Sequence, residues 1–238
     1  MPDSQLALLA VGAHPDDIEF GCGGILLAEA DRGCAIALCV CSRGEAGTNG
    51  TPDEREAEAR QAAKLIGAPI EFLDFGGDCR LDLSASNSLA IARMIRKVRP
   101  QVLLSPTAGG DQHPDHMIVS QLCRTAARLA RYCGVEGLRE MQAHAISHHL
   151  EYAITPGAEA PNDRLRVCVD ISSHYERWVE LMNCHQTQLR TRRYLELQTA
   201  RARLLGLTSG VEYAQALFPS NDLLVSNLAA LPASVRLF

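Results

Sequence analysis

Aromatic side chains make up only 5% of this 238-residue chain, basic charge does not exceed acidic, and no apolar run reaches membrane length. The formal net charge of −5 argues against a nucleic-acid footprint, which needs a basic patch or stripe. A bilayer span needs roughly 20 consecutive apolar residues, so no membrane partner is expected. Met1-Pro2-Asp3-Ser4 lacks the positive region of a secretion signal, and a cytoplasmic protein is expected. There are nine cysteines, an odd number, and none is spaced as Cys-x-x-Cys. A disulfide framework does not suit a chain of this size, which leaves reduced thiols filling core positions. Cys39 and Cys41, two apart in an apolar run, belong on one face of a buried strand.

Against that background one pattern stands out. His14-Pro15-Asp16-Asp17 is answered about a hundred residues later by His113-Pro114-Asp115-His116. With 8 His, 11 Pro and 13 Asp in 238 residues, chance predicts fewer than one His-Pro-Asp; there are two. Each cluster follows an apolar run that reads as a strand, 6–13 and 102–105. Imidazoles and carboxylates gathered at strand ends are the ligand and acid/base set of a hydrolytic metal site. Cys22 lies near the first cluster, where it could modulate metal or redox sensitivity.

Strand-like and helix-like segments alternate. Strands are expected at 6–13, 35–41, 70–73 and 102–105, and helices at 24–31, 51–66, 89–98 and 113–132. Thr51-Pro52-Asp53-Glu54 carries the signature of a capping box with proline in the first helical turn. Residues 42–50 and 76–81 read as loops. The second half is less regular, with strands at 145–154 and 165–170, a loop at 155–163, and helices at 175–184 and 194–205. This alternation implies α/β architecture: a Rossmann-like three-layer sandwich, with a mostly parallel sheet and the active site at the strand C-terminal ends. A single domain over 1–238 is expected, with its core at about 5–135 and an elaboration at about 140–238.

Pro114 suits a helix's first turn, leaving His113 as a cap and His116 one turn in, so His113, Asp115 and His116 can crowd one strand end. Asp16 and Asp17 are consecutive and point in different directions. One can coordinate metal while the other handles protons; spacing alone does not assign the roles. A purely structural account would make these residues a helix cap and a satisfied His–Asp pair.

Ala13-His14-Pro15-Asp16-Asp17, then Gly21-x-Gly23-Gly24, then His113-Pro114-Asp115-His116 resemble the zinc-dependent N-deacetylases of the PIG-L (LmbE-like) family. The resemblance spans nearly the whole chain. An acidic residue often follows the first motif in that family; here Ile18 stands there, with Glu19 next. The resemblance implies that His14, Asp17 and His116 hold Zn2+ and that Asp16 is the general base. His113, oriented by Asp115, would be the electrophilic or acid partner. It also implies Arg55 facing an amino-sugar substrate, and a homo-oligomer, either trimer or hexamer. Asp170-Ile171-Ser172, Gln188, Tyr194, Ala200-Arg201, Tyr213-Ala214 and Phe218 resemble the bacillithiol-biosynthesis deacetylases, which act on N-acetylglucosaminyl malate. That likeness implies Tyr194 on the oxyanion side.

Other readings stay in view. One is a deacetylase or amidase for another amino-sugar or thiol conjugate. A two-His, one-carboxylate set also suits Fe(II). A non-catalytic metal-binding protein would need His14, Asp17 and His116 but not Asp16. A dinucleotide-binding module would explain the α/β pattern, but Gly21-x-Gly23-Gly24 lacks the spacing of that fingerprint.

Overall fold

The computed structural model describes residues 6–159 and 165–235; residues 160–163 of the expected 155–163 loop, and the N-terminal Met1–Ser4 reading, lie outside these. Seven strands form one sheet: β1 (Ala7–Gly12), β2 (Ala35–Val40), β3 (Ile70–Phe72), β4 (Val102–Pro106), β5 (His148–Tyr152), β6 (Val167–Asp170) and β7 (Ala214–Pro219). The spatial order is β3-β2-β1-β4-β5-β7-β6, with β7 antiparallel to both neighbours and the other pairings parallel. Helices flank the sheet: α1 (Asp17–Asp31), α2 (Pro52–Ile66), α3 (Ala85–Val98), α4 (Pro114–Arg131), α5 (Tyr175–Met182), α6 (Gln186–Leu189) and α7 (Tyr194–Ser209). Among the described residues no helix is long and apolar enough to cross a membrane.

Strand periodicity divides the core. Leu8, Ala10, Leu38, Val40 and Leu104 pack on one face with α1, α5 and part of α7. Leu9, Val11, Cys39, Cys41 and Leu103 pack on the other with α3 and α4. Both faces are covered, as a parallel sheet requires. Cys39 and Cys41 therefore share a buried face, as their spacing predicts. All nine cysteines are free thiols. Cys22 points into the core, its Sγ 3.4 Å from Ile18 O.

The Thr51 capping box forms as expected, and Gly67 closes α2 in the left-handed conformation. Two readings need correction. The first helix begins at Asp17, not Gly24, so Gly21, Gly23 and Gly24 lie within it rather than in a turn. They are there for close approach: a Cβ on Gly21 would stand 2.2 Å from Tyr152 Cδ2, and one on Gly24 2.8 Å from Ile171 Cδ1. A helix-embedded run of this kind is not a phosphate-binding turn, which disposes of the dinucleotide reading. The second correction is β7, which has no counterpart in the sequence reading. Pairing with β5 on one side and β6 on the other, it joins β6 to the sheet.

The Tyr152 ring is fully buried, and its hydroxyl donates to Val11 O at 2.8 Å, so it has nowhere to retreat. Gly21→Ala would gain about 1 kcal/mol of helix propensity. Overpacking costs ~1–3 kcal/mol, and at 2.2 Å the clash wins. The expected outcome is a lower urea midpoint with an unchanged m-value; a raised midpoint would contradict this packing.

Candidate metal centre at the β1 and β4 strand ends

Strands β1 and β4 are parallel neighbours, yet the helices that follow them lie on opposite faces. A crevice opens where connections diverge in this way, at the carboxyl ends of the strands. Both His-Pro-Asp clusters sit there.

After β1 the chain turns sharply through Asp16, held at φ 138°, before α1 starts at Asp17. A non-glycine residue in this region stores about 1–3 kcal/mol of strain. Asp17 is fixed by its own turn: Oδ2 accepts the backbone N–H groups of Ala13 (2.9 Å) and His14 (2.8 Å). His14 Nδ1 is 3.4 Å from the same oxygen. On the other side His113 caps α4, its Nδ1 accepting the Asp115 backbone N–H at 3.3 Å, and Pro114 occupies the first turn. One turn in, His116 Nε2 lies 3.1 Å from Asp17 Oδ1, while its Nδ1 faces Gln112 Oε1 at 3.2 Å.

His14, Asp17 and His116 are all buried, and each offers a ligand atom within 4.8 Å of the others. Two imidazole nitrogens and a carboxylate oxygen suit Zn2+, and three protein donors leave one position open. The remaining ring nitrogens are engaged, as ligating histidines require. His14 Nε2 faces Asp78 Oδ1 (3.0 Å) and Asp115 Oδ2 (3.4 Å). The residues present therefore fit the ion.

The charges reinforce one another. Burial pushes His14 down, but the Asp17, Asp115 and Asp78 carboxylates outweigh it and hold the ring well above its usual value. Burial pushes Asp17 up, but His116 and His14 hold it well below the usual carboxylate range. Asp16 behaves differently. Burial raises it to about 6 against the pull of Arg55, with Asp17 adding to the rise. Burial and the His14 ring lower the proton affinity of His113.

The other expected residues fall as follows. Asp115 meets His113 through its backbone; its carboxylate is 4.0 Å from His113 Nδ1 and accepts the Cys79 N–H at 2.7 Å. Arg55 is buried, with NH2 3.6 Å from Asp16 Oδ1 and 3.5 Å from Pro15 O, and NH1 donating to Gly44 O at 3.0 Å. Gly44 (φ 73°) and Gly47 make room for that guanidinium, since a Cβ on either would collide with it. Tyr194 opens α7 and packs its ring 5.8 Å from that of Phe20; among the described residues no hydrogen bond ties it to the cluster.

Two participants, Asp78 and Cys79, escaped the sequence reading, and a third, His185, had only its place before Gln186–Gln188 to mark it. Asp78 comes from the loop after β3 and reaches both His14 and His113 (3.7 Å). Its signal was Gly76-Gly77-Asp78, an acid behind two glycines at the same sheet end. His185, fully buried, stands 3.4 Å from Glu19 Oε2, and neither ring nitrogen has a hydrogen-bond partner. Glu19, of uncertain role in the sequence, is thus its partner. Cys79 is exposed beside His113.

Fold and site together define an α/β protein with a His/Asp metal-type centre at the switch point of its sheet. The chain belongs to the PIG-L (GlcNAc-PI de-N-acetylase) family, whose model matches residues 9–127. It is 36% identical over 140 residues to YaiS, an uncharacterized deacetylase of Escherichia coli K12, covering 55% of this chain and 75% of that protein. It is 26% identical over 250 residues to the 4-oxalmesaconate hydratase of Pseudomonas putida, covering 96% and 95%. The crystal structure of the conserved protein TT1542 from Thermus thermophilus matches with a TM-score of 0.80 at 29% identity, covering 96% of this chain and 100% of that one.

Removing one partner of a buried ion pair costs about 3–5 kcal/mol because the other charge stays behind. Arg55→Ala is expected to lose about 3 kcal/mol in urea unfolding at neutral pH. Arg55→Lys should recover only part, since a single ammonium cannot span Asp16, Pro15 O and Gly44 O. An unchanged midpoint in Arg55→Ala would show that the pair carries no weight.

Proposed function

We propose that this chain is a metal-dependent N-deacetylase that hydrolyses the acetamide of an N-acetylglucosamine derivative to acetate and a free amine. The observation that carries this reading is the convergence of His14, Asp17 and His116 with Asp16 beside them, its side chain still 12% exposed. A protein that merely stored a metal would have no use for a strained, desolvated carboxylate held at the edge of its ligand set. Membership of a family described by its action on an N-acetylglucosamine conjugate supports the substrate class.

In this reading His14, Asp17 and His116 would hold Zn2+. Zinc in such a site would supply Lewis acidity and bring the pKa of water from 15.7 to about 7. Asp16 accepts the proton of the attacking water; a base raised to about 6 is matched to that task near neutral pH. His113, its Nε2 turned toward Asp78 and Cys79, answers charge developing on the carbonyl oxygen and returns a proton to the departing amine. Asp115 positions His113 through the helix cap. Arg55 on the sugar side and Tyr194 on the oxyanion side complete the assignment, on the family resemblance.

The finer reading is N-acetylglucosaminyl malate as substrate, in bacillithiol biosynthesis, in a cytoplasmic homo-oligomer. Its support is the likeness of Asp170-Ile171-Ser172, Gln188, Tyr194, Ala200-Arg201, Tyr213-Ala214 and Phe218 to those deacetylases. Near-full-length similarity to a hydratase favours one second reading, addition of water to an unsaturated acid at the same centre.

Acetate release from a panel of N-acetylglucosaminides, with and without a malate aglycone, tests the proposal directly. Turnover of the panel supports deacetylation. No acetate from any member, together with hydration of an unsaturated dicarboxylate, would replace it with the second reading. Asp16→Asn is expected to keep its metal, measured by elemental analysis, while turnover falls about 10²–10⁴-fold. His116→Ala should lose both. A fully active Asp16→Asn would require another base.

A further inference from the structure

Cys79 is the one thiol at the candidate site, and its placement is specific. It follows Asp78 in a turn where its own φ is 63°, a left-handed value uncommon for a residue with a side chain. The turn is pinned by two charge-assisted bonds, Asp78 N–H to Glu45 Oε2 (2.8 Å) and Cys79 N–H to Asp115 Oδ2 (2.7 Å). The result presents Sγ outward, 3.3 Å from Asp78 Oδ1 and 3.5 Å from His113 Nε2. The third side of that triangle, His113 Nε2 to Asp78 Oδ1, is 3.7 Å.

These separations are those of a metal's donor atoms. Zinc bonds of roughly 2.0–2.3 Å to N, O and S at tetrahedral angles put donor atoms about 3.4–3.6 Å apart. Thiolate, imidazole and carboxylate together favour a borderline or soft divalent cation over Mg2+ or Ca2+. We propose that Cys79 Sγ, His113 Nε2 and Asp78 Oδ1 form a second, inhibitory site for Zn2+ at the mouth of the first. Binding is a simple exchange: the ion enters and the Cys79 thiol gives its proton to solvent. The His113 ring proton then resides on Nδ1, facing Asp115 Oδ2, in place of the cap bond. No electron transfer is involved.

Occupancy would take His113 out of service and draw Asp78 away from His14. The inhibition, though not the binding, rests on the reading of His113 as acid partner. The two ions would differ in affinity, because Cys79 is exposed and His113 half-buried, whereas His14, Asp17 and His116 are all buried.

Co2+ titration of the whole protein, followed by its visible spectrum and by metal content, separates the possibilities. Wild type should bind a second equivalent of Co2+ accompanied by a thiolate-to-cobalt charge-transfer band. Cys79→Ser and Cys79→Gly, the latter suited to the left-handed backbone, should bind the first equivalent and show no band. His116→Ala should lose the first equivalent and keep the band. Inhibition by excess Zn2+ should weaken about tenfold or more in both Cys79 variants, since loss of even an outer-shell partner costs 10–100-fold. Absence of the band in wild type, or its persistence in Cys79→Ser, would overturn the second site. Loss of the band in His116→Ala would show that Cys79 ligates the first ion instead. Acetate release by wild type is read separately, so the deacetylase reading can fail while the site survives.

Discussion

The carboxylate of Asp17 ties the two halves of the site together. One oxygen is held by two backbone N–H groups at the end of β1 and faces His14; the other faces His116 from α4. The second contact could not form unless β1 and β4 were adjacent and parallel, with α1 leaving on one face of the sheet and α4 on the other. The glycines of α1 serve the same end. They let that helix lie close against Tyr152, Trp178 and Ile171, which sets where its first turn begins and so where Asp17 points. Sheet order, helix packing and the ligand triad are one constraint seen at three scales.

Around that carboxylate the site resolves a charge problem. Asp16, Asp17, Asp78 and Asp115 crowd one strand end, and buried carboxylates need compensation. Asp17 has His14 and His116; Asp78 has His14 and His113; Asp115 has the Cys79 N–H and His14. Asp16, among the described residues, pairs with Arg55 alone, 3.6 Å away, with the buried His185 adding a weaker pull. Its carboxyl group is accordingly the one held up near 6, in the range useful to a base, while Asp17 and Asp78 are held down. Two consecutive aspartates thus acquire opposite characters, and the difference comes from the partners each one faces.

The spacing of the two aspartates did not assign that division of roles, which came only as what the family resemblance implied, whereas the motif itself was plain. The two His-Pro-Asp clusters, the parallel alternation, the Thr51 cap and the shared face of Cys39 and Cys41 are all local patterns, and local patterns survive in one dimension. The start of α1 was not legible, because that helix is buried on almost every side and its apolar residues show no face. β7 reads Ala-Gln-Ala-Leu-Phe-Pro, mostly buried, and offers no inside–outside alternation. Asp78, Cys79 and His185 stand on connections or at short helix starts. They reach the site across 34 to 166 residues of chain, so only the folded topology brings them there.

The same geometry bears on which reaction the site is suited to. Hydrolysis of an amide and hydration of a double bond both need water activated beside a base, and Asp16 serves either. They part at the second proton. An amine cannot leave as its anion, so hydrolysis needs a group that delivers a proton to the departing nitrogen. In the proposed reading His113, the cap of α4, is that group: it is partly open to solvent, with a proton affinity lowered by burial and by His14. A lowered affinity makes the ring a stronger acid once protonated. Hydration also needs a proton, but at carbon, and a protein serving only that reaction has no need to place an acid against a leaving nitrogen. A raised carboxyl on one strand end and a weakened imidazole on the next are therefore what the proposed amide cleavage would draw on.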